Sequence, residues 1–211
     1  MITIYHLGVS QSDRIVWLAE ELGLPYELEW FDRGADGLAP PEYLDLHPAG
    51  TAPVIRDGDR VLTESAVIVE YLCHTHGGGR FTVGPDQPNY YDYLYWMHWN
   101  NNVQGLFFAT LAMGATPEGE RPPAATFIDR RWDRYLGHLD TRLGETDYVA
   151  GAEFTCADVM VTFNLTSLAP FGGRSIDHLK NAVAYVERIG QRPAYQKAMA
   201  IAGPAAQRPT P

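Results

Sequence analysis

The run from His47 to Leu72 constrains the fold more than any other stretch. Pro53 is followed by two apolar residues, then by Arg56-Asp57-Gly58-Asp59-Arg60, then by Val61-Leu62-Thr63. Two short apolar segments around an Asp-Gly pair predict a tight β-hairpin. Thr63-Glu64-Ser65 then opens a segment through Leu72 whose apolar positions recur at helical spacing. A helix that begins where a hairpin ends offers backbone N–H groups and the positive end of its dipole, which suits a carboxylate. Pro53 cannot donate to a ladder and tolerates a cis bond. The stretch reads as a peptide-binding edge beside an anion-binding helix start.

The chain before it supplies the rest of a sheet. Ile2 to Leu7 alternates as a strand, and Gly8-Val9-Ser10-Gln11 is a turn. Ser12 to Leu22 carries a stripe of Ile15, Val16, Leu18, Ala19 and Leu22, with Gly23 as its stop. Tyr26 to Phe31 alternates again as a second strand. Strand, helix, strand is a βαβ unit, and hairpin plus helix complete it as βαβ then ββα. A short helical piece is expected near Glu42–Leu46.

After Gly77-Gly78-Gly79 the signal changes. Residues 80–88, with Pro85 and Pro88, read as a linker. Beyond them only helices are expected: Tyr90–Met113, Thr126–Leu143, one running from about Phe154 to Ser167, Asp177–Ile189 and Pro193–Met199. Thr155 and Asp158 have the spacing of a capping box inside a Phe154–Val159 staple. The expected fold is α/β plus all-α: an α/β domain over residues 1–79, then an all-helical domain over 89–211.

A net charge of −10 and the lack of basic runs argue against nucleic acid or an anionic membrane as partner. No apolar run is long enough to span a bilayer. Cys73 and Cys156, the only two cysteines, are far apart in sequence, so a reducing cytoplasm is expected rather than a disulfide framework. His74 and His76 diverge on a helix, and no metal site is expected.

The order of elements, with the residues at the two loops, resembles the glutathione transferase superfamily over essentially the whole chain, in its serine-type, theta-like and bacterial forms. The strongest points of likeness are Ala52-Pro53-Val54 and Thr63-Glu64-Ser65-Ala66. The resemblance implies a thioredoxin-like first domain, glutathione as co-substrate and a homodimer. It places the cysteine of glutathione on the backbone of Val54 after a cis Ala52–Pro53 step, and the γ-glutamyl end on Glu64 and Ser65. The chemistry agrees, since Ser65 at a helix start donates to a carboxylate and Glu64 accepts from an ammonium.

The turn at Ser10-Gln11-Ser12-Asp13 holds no thiol, so dithiol redox chemistry of the thioredoxin kind is excluded. What remains is activation of a thiol that the ligand carries. A cysteine thiol has a pKa of ~8.5, so useful thiolate at neutral pH needs a drop of about 2 units, or ~2.7 kcal/mol. One donated hydrogen bond supplies roughly 1.5–3 kcal/mol, with about 1 more from a helix N-terminus. Tyr5, Ser10 and Ser12 are the candidate donors. Resemblance to the theta-type loop favours Ser10 over Tyr5 and leaves Ser12 third, with Arg14 one turn on supporting the loop.

The chain also departs from the family pattern. Thr51 stands where a lysine often holds the glycine carboxylate, and Asn100-Asn101-Asn102 replaces a run common in bacterial relatives. By resemblance, Leu7, Trp96, Trp99 and Asn100 are assigned to the pocket for a small electrophile, although helical spacing alone reads the Tyr90–Trp99 aromatics as core. Two functions follow: an enzyme that directs activated glutathione at a small hydrophobic electrophile, or a regulatory protein that keeps the fold without the chemistry.

Overall fold

The computed structural model describes residues 1–113, 123–168 and 175–209. The chain groups into two compact units, Met1–Thr82 with Gly190–Pro211, and Val83–Ile189.

In the first unit, β1 (Ile2–Leu7), α1 (Asp13–Leu22) and β2 (Tyr26–Phe31) form the expected βαβ. A short α2 (Pro41–Leu44) precedes the hairpin of β3 (Val54–Asp57) and β4 (Arg60–Thr63), and α3 (Ser65–Thr75) follows it. The sheet order is β2-β1-β3-β4. β1 lies parallel to β2 and antiparallel to β3, with Tyr5 opposite Val54. Asp57 pairs with Arg60 across a two-residue turn, where Gly58 takes a φ of 59° that a side chain would resist. Ile4, Ile15, Val16, Leu18, Ile55, Ile68 and Leu72 are wholly buried and make the core of this unit. Tyr5, Leu7, Tyr43 and Val54 form a separate apolar cluster.

α1 ends as its sequence predicts. Gly23 is left-handed, and the N–H of Leu24 reaches back to the Ala19 carbonyl. Its outer side receives the last helix, here α8 (Pro193–Ala202), although the sequence division at 89 assigns that helix to the helical half. Trp17 meets Tyr195 edge to face at 4.9 Å, and Arg192 holds the nearly buried Glu21 through two nitrogens at 2.6 and 2.7 Å. A bidentate guanidinium–carboxylate pair fixes orientation as well as attraction.

The second unit is helical: α4 (Tyr90–Met113), α5 (Pro123–Leu143), α6 (Cys156–Phe163) and α7 (Lys180–Gly190, whose last residue groups with the first unit). Tyr93, Trp96, Trp99 and Val103 of α4 are buried, as are Trp132, Leu136 and Leu139 of α5. The capping box at Thr155 and Asp158 is formed.

Of the boundaries that differ from expectation, two do so for a polar reason. From Asn164 to Leu168 the chain continues α6 as a π-helix. There Asn164 donates to the Met160 carbonyl and to Asn100, and Thr166 donates to the Thr162 carbonyl. Side chains that bond carbonyls four residues back compete with the regular ladder. α7 starts at Lys180 rather than Asp177, because its cap comes from another helix. Asp140 of α5 accepts from the backbone N–H groups of Asn181 and Ala182 at 2.8 and 2.9 Å.

Candidate functional site

The first unit brings the turn after β1 next to the start of α3. Gly8 donates its N–H to the Phe31 carbonyl, and Val9 then takes a φ of 51°. A β-branched residue in that region stores roughly 1–3 kcal/mol of strain. Arg33 holds the turn there. Its guanidinium donates to the carbonyls of Gly8 at 2.8 Å, Val9 at 3.0 Å and Gly37 at 2.9 Å.

Inside the turn the hydroxyls form a chain. Ser10 Oγ donates to the Leu7 carbonyl at 2.7 Å and lies 2.8 Å from Ser12 Oγ. Ser12 Oγ in turn lies 2.8 Å from His6 Nδ1. Ser10 is almost buried, and Ser12 and His6 are fully so. Rotation about one bond would release the Ser10 O–H from the Leu7 carbonyl.

On the other side, the Ala52–Pro53 peptide is cis and Val54 opens β3 directly after it. Thr63 Oγ1 donates to the Pro53 carbonyl at 3.0 Å and lies 3.2 Å from Thr51 Oγ1, which ties the head of β3 to the end of β4. Glu64 is exposed with a φ of 70°, so the chain turns sharply into α3. The first bond of the helical ladder runs from Ile68 N–H to the Glu64 carbonyl, leaving the N–H groups of Ser65, Ala66 and Val67 ahead of it. Ser65 Oγ donates to Gln11 Oε1 at 3.1 Å, joining the two halves of the site.

The candidate donors are placed differently. Tyr5 is buried, and its hydroxyl accepts from Arg56 Nε at 2.9 Å. Arg56 lies opposite Thr3, so this phenol is engaged toward the N-terminal end of β1, whereas the Ser10 turn begins at the other end. Arg14 is buried in α1, where burial brings its guanidinium down to about 10 against the pull of Asp13, and it stays charged at neutral pH. The Leu7 side chain belongs to the buried cluster with Tyr5, while its carbonyl serves the turn. Trp96, Trp99 and Asn100 lie in the second unit and are almost wholly buried, with Asn100 accepting from Asn164.

His6, Gln11 and Arg33 are site residues that the sequence reading misses. His6 carried a usable signal, because it follows Ile4 at strand spacing and so falls on the face turned to α1. Gln11 and Arg33 act through contacts 54 and 24 to 25 residues away, which no local pattern announces.

His6 also sets a pH dependence. Burial pushes its imidazole down from 6.5 to about 4. As pH falls below 6.5 the unfolded chain takes up a proton that the fold refuses, so stability drops, by about 3 kcal/mol once pH reaches 4. Denaturant unfolding at pH 7 and pH 4.5 should show this loss in the wild type. His6→Asn, which has nothing to titrate, should lose correspondingly less, and equal losses in the two proteins would contradict it.

Among the described residues no group of three or more His, Cys, Asp and Glu could hold a metal ion. No described helix is long and apolar enough to cross a membrane.

Comparison with known proteins agrees with this geometry. The family model for the glutathione S-transferase N-terminal domain matches residues 10–75, and that for the C-terminal domain matches residues 107–199. Glutathione S-transferase 3 of Schizosaccharomyces pombe is 32% identical over 92% of this chain and 85% of its own length. Glutathione S-transferase GstB of Escherichia coli K12 is 29% identical over 95% of this chain and 99% of its own. A glutathione S-transferase structure from Actinobacillus pleuropneumoniae matches with a TM-score of 0.87 at 32% identity, covering 96% of this chain and 93% of that one. With a thioredoxin-like unit, a helical unit and relatives matched along nearly its whole length, the chain belongs to the glutathione S-transferase family.

Proposed function

We propose that the protein binds glutathione along Val54, Glu64 and Ser65 and uses Ser10 to stabilise its thiolate for attack on a small hydrophobic electrophile. The observation that carries this reading is the Ser65–Gln11 hydrogen bond. It joins the turn that carries Ser10 to the N-terminus of α3, which supports one ligand meeting both, with a carboxylate at one end and a thiol at the other. The α3 N–H groups and dipole receive the γ-glutamyl carboxylate, and exposed Glu64 takes the ammonium. Ala52 and Pro53 shape the strand head where Val54 offers its backbone. Thr51 contributes a hydroxyl, not a cation, toward the glycine end. Ser12 supports Ser10, and Arg14 adds a fixed positive charge to the start of α1. Catalysis is then mainly thiolate stabilisation and proximity.

Tyr5 is disfavoured as activator because its hydroxyl already serves Arg56. A purely regulatory role is disfavoured because the turn, its hydroxyls and the α3 start are all intact. The family resemblance further supports a homodimer. The two buried cysteines, one in each unit, support a reducing compartment such as the cytoplasm.

Direct calorimetry with glutathione tests this, with thiolate absorbance of the complex followed against pH. Binding with Kd between about 1 μM and 1 mM, with a thiolate midpoint near ~6–7, is the expected result. No binding at several millimolar would overturn the reading.

A further inference from the structure

The hydroxyl chain in the turn does not stop at the serines. It ends on a histidine that is wholly buried, 2.8 Å from Ser12 Oγ through Nδ1, with its ring 4.3 Å from that of Trp30. The other ring nitrogen, Nε2, is buried and has no hydrogen-bond partner among the described residues. A neutral imidazole carries one N–H, and a buried N–H without an acceptor is rarer than a buried acceptor without a donor. The proton therefore belongs on Nδ1, facing Ser12. That choice gives the chain a direction. His6 Nδ1–H donates to Ser12 Oγ, Ser12 O–H donates to Ser10 Oγ, and Ser10 O–H is left as the terminal donor, resting on the Leu7 carbonyl. With the opposite tautomer, Ser12 would turn its O–H to His6, and Ser10 Oγ would keep only the longer bond from the Ser12 backbone N–H at 3.3 Å.

We infer that His6 is a positioning residue for thiol activation: through Ser12 it fixes the direction of a His6–Ser12–Ser10 proton chain and strengthens Ser10 as the hydrogen-bond donor to the glutathione thiolate. This rests on the role of Ser10 proposed above. A hydroxyl that accepts a hydrogen bond is a better donor, and in a water-poor turn such polarisation adds along the chain. His6 never touches the ligand, and no proton leaves it. The pKa of about 4 means the ring stays neutral over the working range, so the chain keeps one direction.

The test is a double-mutant cycle read as the thiolate midpoint of the glutathione complex. His6→Phe keeps a flat ring of similar size and removes both nitrogens, including the orphaned one, so the fold should persist, which thermal unfolding checks. Its midpoint should rise by about half a unit, with kcat at pH values below the midpoint falling about threefold and the KM for glutathione unchanged. Ser12→Ala, which breaks the chain without touching the ring, should match it. His6→Asn, whose side-chain amide puts an N–H near the place of Nδ1, should return the midpoint to that of the wild type. In a Ser10→Ala background, His6→Phe should have no further effect. Nitrogen NMR of the histidine-labelled protein should report the Nδ1–H tautomer.

An unmoved midpoint in both His6→Phe and Ser12→Ala would overturn the inference. So would an equal shift from His6→Phe with and without Ser10, or an Nε2–H tautomer. A wild-type midpoint in Ser10→Ala itself would remove the Ser10 reading and this one together. A shifted midpoint there, with His6→Phe unmoved, would remove this one alone.

Discussion

Asp158→Ala is expected to destabilise the protein by about 4 kcal/mol, a large share of the ~5–15 kcal/mol that holds a typical fold. Asp158 is fully buried and accepts four hydrogen bonds: from the backbone of Val149 at 3.0 Å and of Thr155 at 2.9 Å, from the Thr155 hydroxyl at 3.2 Å and from Tyr185 at 3.0 Å. Burial raises its carboxyl to about 6, and these four donors hold it down against that. It is therefore a carboxylate at pH 7, with every lone pair in use. Truncation strands two buried backbone N–H groups, those of Val149 and Thr155, at roughly 1–3 kcal/mol each, and the second is half of the α6 capping box. Denaturant unfolding followed by tryptophan fluorescence measures the loss, and Asp158→Asn, which keeps one oxygen, should lie between wild type and alanine. A loss under ~1 kcal/mol for the alanine variant would mean that water replaces the carboxylate in a space closed to it.

Ser10→Ala should lower kcat/KM at neutral pH by about 100-fold and move the thiolate midpoint of the glutathione complex up by more than one unit. A single preorganised donor to a developing or resting anion is worth roughly 2.7–4 kcal/mol in an enclosed site, and the proposed function gives that part to the terminal hydroxyl of this turn. The sign follows from which state it favours. Removing a bond made to the thiolate raises the thiol pKa, so the variant needs a higher pH for the same thiolate fraction. Tyr5→Phe should leave the profile in place, because the phenol is engaged with Arg56. Superimposable pH profiles for wild type and Ser10→Ala would end the assignment, and a shift in Tyr5→Phe alone would pass the role to Tyr5.

Much of the frame was legible in the residues because it rests on local signals. The hairpin follows from an Asp-Gly pair between apolar runs, the end of α1 from Gly23, and the start of α6 from the Thr155–Asp158 spacing. What escaped the sequence was set by partners distant along the chain. The start of α7 is moved by Asp140, some forty residues earlier. The geometry of the Ser10 turn depends on Arg33, and its link to α3 on a glutamine that no motif marks. Ser10 against Tyr5 could not be decided from spacing either, because both lie in or beside the same turn. Arg56, two positions along β3 from the residue opposite Tyr5, is what supports the proposal of Ser10.

The return of α8 to α1 bears on the order in which this molecule can be made. The surface around Trp17, Glu20 and Glu21 emerges from a ribosome well before its covering residues, Arg192, Tyr195 and Lys197, with Arg192 following Glu21 by 171 residues. Until they follow, the glutathione-binding half waits with an aromatic ring and two carboxylates uncovered, while the helical half can complete itself. The thioredoxin-like half, first in the sequence, is thus the last to be finished, and a chain stopped before Gly190 would carry every proposed binding residue on a scaffold missing one wall.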